Sequence, residues 1–188
     1  QQRRSLRALH DFVVGLKDAV RANEAELHSG IRKNGLYKEF LDEIVPLSIF
    51  AQKAYPEGYE IQPVLGNQGY DALVFDNTGR EVDRVEITTP HDGASEARDA
   101  RFVVDRGYSQ VKVGQPGDDF DALVPYVLAV CRNKAEKDYG DCTLVVAIEP
   151  MTPFTSFEPK YEKQIAALVS EMAQIKFKAK RVYLLVLP

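Results

Sequence analysis

The sequence predicts a mixed α/β domain, on the strength of three observations. Two stretches with apolar residues three and four positions apart come first, as in amphipathic helices. Three short segments with period-two alternation follow, and two apolar β-branched segments are then each reached through a helical stretch. The predicted order is therefore α-α-β-β-β-(α)-α-β-α-β, with antiparallel strands first and parallel strands later. The 188 residues, 45% of them hydrophobic and 28% charged, are typical of one globular domain.

The first predicted helix covers residues 5–28, with Ser5 as its N-cap and Ser29-Gly30 as its stop signal. Its near-heptad apolar spacing predicts an N-terminal helical extension, residues 1–30, that packs against a protein partner or a second copy of the chain. The remaining residues, 31–188, form the main domain. A second helical pattern starts at Leu36, and Pro46 within it predicts a kink or a helix restart.

The alternating segments predict strands at residues 60–64, 70–76 and 82–89, with a hairpin turn over residues 77–80. Residues 95–104 have weak helical character, and residues 111–113 are a candidate short strand. The last part of the chain predicts helices at residues 120–137 and 160–177, and buried strands at residues 143–149 and 182–187.

Composition narrows the function classes. The formal net charge of −4 excludes a uniformly basic nucleic-acid-binding surface, although it allows a local basic groove. No apolar run is long enough to predict a membrane span, so we expect no membrane association. Cys131 and Cys142 lack the spacing of a zinc site and are expected to be reduced core thiols. Together with the absence of a signal-peptide pattern after Gln1, they predict a cytoplasmic protein.

The hairpin carries the strongest chemical signal. With the turn centred between Thr78 and Gly79, residues that face each other have numbers that add up to 157, so Asp71 lies opposite Glu86. Two carboxylates in this position repel each other unless a cation lies between them, and Mg²⁺ or Mn²⁺ would resolve the conflict. Thr88 follows Glu86 on the same face. The alternative is a bulge that shifts the pairing by one residue and leaves both carboxylates in water.

The segment from Gly66 to Val74, Gly-Asn-Gln-Gly-Tyr-Asp-Ala-Leu-Val, and the segment Val-Glu-Ile-Thr at residues 85–88 resemble the core motif of the PD-(D/E)XK nucleases. The likeness is nearest to the Mrr-like and Holliday-junction-resolvase-like branches. The family core has the order α-β-β-β-α-β, which matches the order predicted independently from Leu36 to Glu149. The resemblance implies a restriction endonuclease-like mixed sheet, extended by the N-terminal helix and a C-terminal α-β unit.

The resemblance also implies a function, the metal-dependent hydrolysis of phosphodiester bonds in nucleic acid, in DNA more than in RNA. Asp71 and Glu86 would be the ligands of Mg²⁺ or Mn²⁺, and the Ile87 carbonyl would be a further ligand. Family members often add a glutamate from the first core helix, and Glu39 and Glu43 are the candidates here. A solvated helix face is the simpler interpretation of these two residues.

The sequence departs from the family at Thr88, where the family has a lysine that aligns the attacking water and offsets developing negative charge. Lys112 or His91 could replace that lysine, or the metal could act alone. Alternatively, the domain has lost catalysis and binds nucleic acid or a protein partner. Tyr70 and Tyr108 are candidates for stacking on unpaired bases, with packing in or at the rim of the core as the alternative.

Overall fold

A computed structural model describes residues 2–23, 26, 36–64, 66, 68–90, 93–107, 118–149 and 159–187 of the chain. One six-stranded sheet, with its strands in chain order, is the centre of the fold. The strands are β1 (Arg4–Ser5), β2 (Glu60–Pro63), β3 (Ala72–Phe75), β4 (Glu81–Thr88), β5 (Cys142–Ile148) and β6 (Arg181–Val186). The predicted mixed α/β class is confirmed.

Strand pairing follows the predicted division. β2, β3 and β4 pair antiparallel, whereas β4, β5 and β6 pair parallel. The two parallel connections each contain a helix, as parallel crossovers require. β1 pairs with β2 at the edge of the sheet and was not predicted. Two residues are too few to show an alternating pattern, so only their pairing with β2 identifies this strand.

The helices are α1 (Leu6–Arg21), α2 (Leu36–Glu39), α3 (Val45–Ala54), α4 (Gly93–Arg106), α5 (Asp118–Ala135) and α6 (Pro159–Met172). Ser5 caps α1 as predicted, because its Oγ accepts a hydrogen bond of 3.2 Å from the backbone N–H of Ala8. The helix ends at Arg21, earlier than predicted. The predicted stop at Ser29-Gly30, the strand at residues 111–113, and Tyr108 lie outside the described residues.

α1 belongs to the main core. Leu6, Leu9 and Val13 of this helix are buried in one cluster with side chains of α3 and of strands β2 to β6. This finding corrects the expectation of a helical extension outside the core. The opposite face of the sheet is covered by α5 and α6, where Phe120 and Leu168 are almost fully buried in a second cluster. The sheet is therefore covered by helices on both faces, as a buried parallel sheet requires.

A π-helix, π1 (Phe40–Ile44), lies between α2 and α3. Pro46 is in the first turn of α3, so the helix restart predicted at this proline is confirmed. Proline has no backbone N–H, so the carbonyl of Asp42, four residues earlier, loses its usual helical partner. The hydroxyl of Thr89 donates to that carbonyl instead, at 2.7 Å. This bond ties the end of β4 to π1, and it fixes the position of Glu43, the next residue along the π-helix.

Asp83 anchors β4 to its neighbours in the other half of the strand. Its side chain is only 3% exposed. It accepts hydrogen bonds from the hydroxyls of Thr143 at 2.8 Å and Tyr55 at 3.0 Å, and Lys180 lies 3.3 Å away. A buried carboxylate is tolerated only with such partners. β4 is thus fixed to α3, to β5 and to the segment that leads into β6.

Cys131 and Cys142 are both free and buried, as predicted. Within the described part of the chain, none of the helices combines the length and the apolar character that crossing a bilayer would require.

We expect Thr89→Val to lower the free energy of unfolding by about 1–2 kcal/mol, because the Asp42 carbonyl loses its donor. Urea denaturation would measure the change. Thr89→Ser keeps the hydroxyl and serves as the control, with stability close to that of the wild type. Equal losses in the two variants would contradict a role for this hydrogen bond.

Candidate active site

The strand register brings the two predicted acidic positions to one place. Ala72 pairs with Val85 and Leu73 pairs with Arg84, so the predicted sum of 157 is confirmed next to the candidate site. The register does shift, but between Val74 and Phe75, at the turn end of the hairpin. Asp71 lies one residue before β3 and leaves this register, because its N–H donates to the carbonyl of Val85 and not to that of Glu86, its predicted partner. Glu86 lies on the face of the sheet that α5 covers, close enough to Asp71 for its charge to act on that carboxyl.

Asp71 is fixed to β4 through both its backbone and its side chain. Its N–H donates to the carbonyl of Val85 at 2.7 Å, and its carboxylate accepts from the N–H of Ile87 at 2.6 Å. The β3 ladder ends at Ala72, so the Asp71 side chain takes the place of the next backbone acceptor. Because the N–H and C=O of a strand residue point to the same side, the Ile87 carbonyl also faces the Asp71 side of β4.

Glu86 forms an ion pair that the sequence interpretation did not include. Its Oε1 lies 2.8 Å from the Nζ of Lys134, on α5. The side chains of Lys134 and Glu86 are only 18% and 14% exposed, respectively. A charge-assisted hydrogen bond with so little solvent around it is much stronger than an exposed surface pair. Lys134 therefore acts as the resident counter-ion of this carboxylate.

Of the two predicted helix carboxylates, Glu43 is the one whose charge affects the pKa of Asp71. Burial raises its pKa, and the negative charges of Glu39 and Glu86 raise it further. Glu43 in turn acts on Asp71. Glu39 instead lines an apolar groove of about 660 Å³ between α1 and π1. The charges of Glu86 and Glu43 thus act on Asp71, whereas the charge of Glu39 acts on Glu43.

Burial sets the protonation of Asp71. It raises the pKa of this carboxyl to about 7, and the nearby charges of Glu86 and Glu43 add to the rise. The hydrogen bond from Ile87 and the charge of Lys134 oppose the rise without cancelling it. Near neutral pH the carboxyl is therefore divided between its two protonation states. Carboxyl groups with such pKa values are concentrated at functional sites.

Lys134 stays charged despite its surroundings. Burial lowers its pKa, but the hydrogen bond and the charge of Glu86 raise it by more, so the net shift is upward. The ammonium also lies 5.7 Å from the centre of the Tyr139 ring, within the range of a cation–π contact. The site thus contains a permanent cation next to its carboxylates.

The remaining predicted residues divide into two groups. Thr88 is half-buried on β4, one alternation beyond Glu86 on the same face. His91 and Lys112, the proposed substitutes for the family lysine, lie outside the described residues.

Lys134 is the residue that sequence reasoning missed, although the sequence contains a signal for it. It follows Val127 and Cys131 at helical spacings of seven and three, and both of those side chains are fully buried. A lysine on the buried stripe of a helix needs an acidic partner. The apolar stripe by itself therefore indicates that Lys134 has a charged partner elsewhere in the fold.

Neither a preformed metal cage nor a known relative indicates the function. In the described ranges, no group of three or more histidine, cysteine, aspartate or glutamate side chains is placed to hold a metal ion. Comparison with known proteins found no matching family model, no similar curated protein and no similar solved structure. The case for function therefore depends on the geometry of the site itself.

We expect Asp71→Asn to stabilise the protein above neutral pH. The stability that comes from the raised pKa of Asp71 is fully present below the ordinary aspartate value of 3.8 and is lost as the pH rises through about 7. Asparagine still accepts from Ile87 and carries no charge. Its advantage should grow between pH 4 and pH 7 to at most about 4 kcal/mol, measured by urea denaturation across pH.

Asp76→Asn is the matched control, with the opposite sign. Hydrogen bonds from Thr78, and then from Arg80, hold the pKa of Asp76 below its usual value. Its contribution is present above pH 4 and is lost in stronger acid. Asp76→Asn should therefore destabilise the protein at neutral pH, by an amount that shrinks in acid. The same pH trend in both variants would contradict the assignment.

Proposed function

We propose that this domain is a metal-dependent phosphodiesterase that acts on nucleic acid, with a restriction endonuclease-like core. One observation carries the proposal. Two carboxylates, Asp71 and Glu86, lie close together where the hairpin adjoins a parallel strand, and a lysine lies 2.8 Å from one of them. The resemblance to PD-(D/E)XK nucleases associates this combination of groups with phosphodiester hydrolysis.

The donor set suits Mg²⁺ better than a metal that needs a full protein cage. Mg²⁺ usually binds through one or two carboxylates and keeps water and substrate phosphate as its other ligands. Burial is the main cause of the raised pKa of Asp71, and the charges of Glu86 and Glu43 add to it, so a second cation would offset the repulsion among these carboxylates. Asp71, Glu86 and the Ile87 carbonyl would hold Mg²⁺ or Mn²⁺, with Glu43 behind them. Such an ion would polarise the scissile phosphate, and its positive charge would stabilise the negative charge that develops during hydrolysis.

Lys134 fits the role that Thr88 leaves open. Its ammonium is held beside Glu86 by a short ion pair, so the charge is already in position before substrate arrives. In this proposal Lys134 offsets the negative charge that develops on the phosphate and orients the attacking water. The positive charge then comes from Lys134 on α5, and not from a lysine on β4. The hydroxyl of Thr88 provides a further hydrogen-bonding group for water.

A second candidate is a nuclease fold that binds nucleic acid without cutting it. The observation that favours it is the same ion pair, since Lys134 already neutralises Glu86 and reduces the need for a metal. In that case the lysine would serve as a structural counter-ion. The two candidates differ in metal response and in turnover.

We expect Mg²⁺ to stabilise the wild type against thermal unfolding, by about 2.7 kcal/mol at a free ion concentration of 100 times the Kd. Asp71→Asn should show no response, because it lacks a ligand. Asp76→Asn changes an aspartate in the hairpin turn and should respond like the wild type. The stabilisation is measured by scanning calorimetry. Equal stabilisation of wild type and Asp71→Asn by Mg²⁺ would contradict a metal site at Asp71.

We expect Lys134→Met to reduce Mg²⁺-dependent cleavage of a labelled oligonucleotide by about 100-fold or more, since a preorganised charge at the reacting phosphate is lost. Lys134→Arg, which keeps the charge with a different shape, should retain part of the activity. His91→Ala and Lys112→Ala should remain within about twofold of the wild type.

Two outcomes would redirect the proposal. Loss of cleavage in Lys112→Ala with full activity in Lys134→Met would assign the role to Lys112. A wild type that does not cleave, together with cleavage created by Thr88→Lys, would favour the binding candidate.

A further inference from the structure

An arginine and a tyrosine that form a cation–π contact lie next to the carboxylates in the chain. The guanidinium carbon of Arg84 is 5.4 Å from the centre of the Tyr70 ring. Tyr70 directly precedes Asp71 in the chain, and Arg84 is two residues before Glu86 on the same strand face. The pair therefore belongs to the same two segments as the proposed metal ligands.

Arg84 is held in place and remains accessible. Its Nε donates to Glu81 at 2.7 Å, and its side chain is 48% exposed. That bond uses one of the five N–H donors of a guanidinium. Tyr70 is half-buried. A fixed guanidinium plane next to a tyrosine ring offers both a stacking surface and a charge for phosphate.

Spacing links the pair to the site. Same-face residues two positions apart on a strand are separated by about 6.6 Å. A phosphate bound at Asp71 and Glu86 would therefore have its neighbouring nucleotide next to Arg84 and Tyr70. Bases inside a duplex stack on each other, whereas an unpaired base has faces free for an aromatic ring or an arginine plane.

We propose that Tyr70 and Arg84 form a stacking platform that selects nucleic acid with an unpaired nucleotide beside the scissile phosphate. This inference rests on the proposed function, because it takes the position of the phosphate from the carboxylates. It adds the substrate class, which is a single strand or a flap, gap or junction with unpaired bases. Because every base offers a flat face for stacking, we expect the platform to bind without sequence preference.

The test is equilibrium binding of fluorescein-labelled oligonucleotides, measured by anisotropy in Ca²⁺ so that hydrolysis does not interfere. The ligands are a single-stranded DNA of about 12 nucleotides, within the site sizes of single-strand binders, the matching RNA, and the corresponding DNA duplex. We expect the wild type to bind either single strand more tightly than the duplex. Tyr70→Ala should weaken single-strand binding about 5- to 100-fold. Tyr70→Phe keeps the ring and should stay within about twofold of the wild type.

Two further variants separate stacking from charge and from folding. Arg84→Gln should lower the slope of log affinity against log salt by about 0.7, the single-strand value for one phosphate contact. Tyr183→Ala removes a tyrosine from β6, where its ring contacts Phe50 in the other core cluster, and should bind like the wild type. Thermal unfolding of each variant shows whether it is folded.

The outcomes for the two proposals are distinct. Equal affinity for single strand and duplex, or unchanged binding by folded Tyr70→Ala, would overturn the stacking platform even if the protein cleaves DNA. Strand-selective binding that depends on Tyr70, without Mg²⁺-dependent cleavage, would support the platform and overturn the nuclease proposal. Absence of binding to every oligonucleotide would overturn both.

Discussion

The ion pair between Lys134 and Glu86 is the interaction on which the candidate site depends. Three carboxylates share a half-buried region, where burial, and then their mutual repulsion, raises the pKa values of Asp71 and Glu43. Without a resident cation, such a group would be forced apart or protonated. A lysine supplied by α5 lies beside Glu86 and offsets the negative charge of the group. The packing of α5 on the sheet is therefore also what supplies the positive charge of the site.

β4 is the strand through which the site is connected to the rest of the fold. It is the one strand in the described sheet that pairs antiparallel on one side and parallel on the other. Asp83 fixes its first half to three other elements, and Thr89 fixes its far end to π1. Glu86 lies between these two anchors, and Ile87 holds Asp71. The geometry of the carboxylates is consequently set by hydrogen bonds outside the site as much as by those within it.

Most of the fold could be predicted because its signals are local. The capping of α1 by Ser5, the break near Pro46 and the hairpin at residues 77–80 each follow from the chemistry of a few neighbouring residues. The pairing of Ala72 to Val74 with β4 followed from the turn position, whereas Asp71 itself departs from that register. The edge strand β1 was not predicted, because it is defined by its pairing with β2, more than fifty residues away in the chain.

The sequence by itself determined the alternation of elements and the change from antiparallel to parallel pairing, since periodicity and turn position are properties of consecutive residues. Only the tertiary structure decided which cation accompanies the carboxylates and which helix glutamate joins them. Lys134 and Glu86 are 48 residues apart, and the contact exists because α5 packs across β4 and β5. A pairing of that kind is fixed by how helices lie on a sheet, which no local pattern encodes.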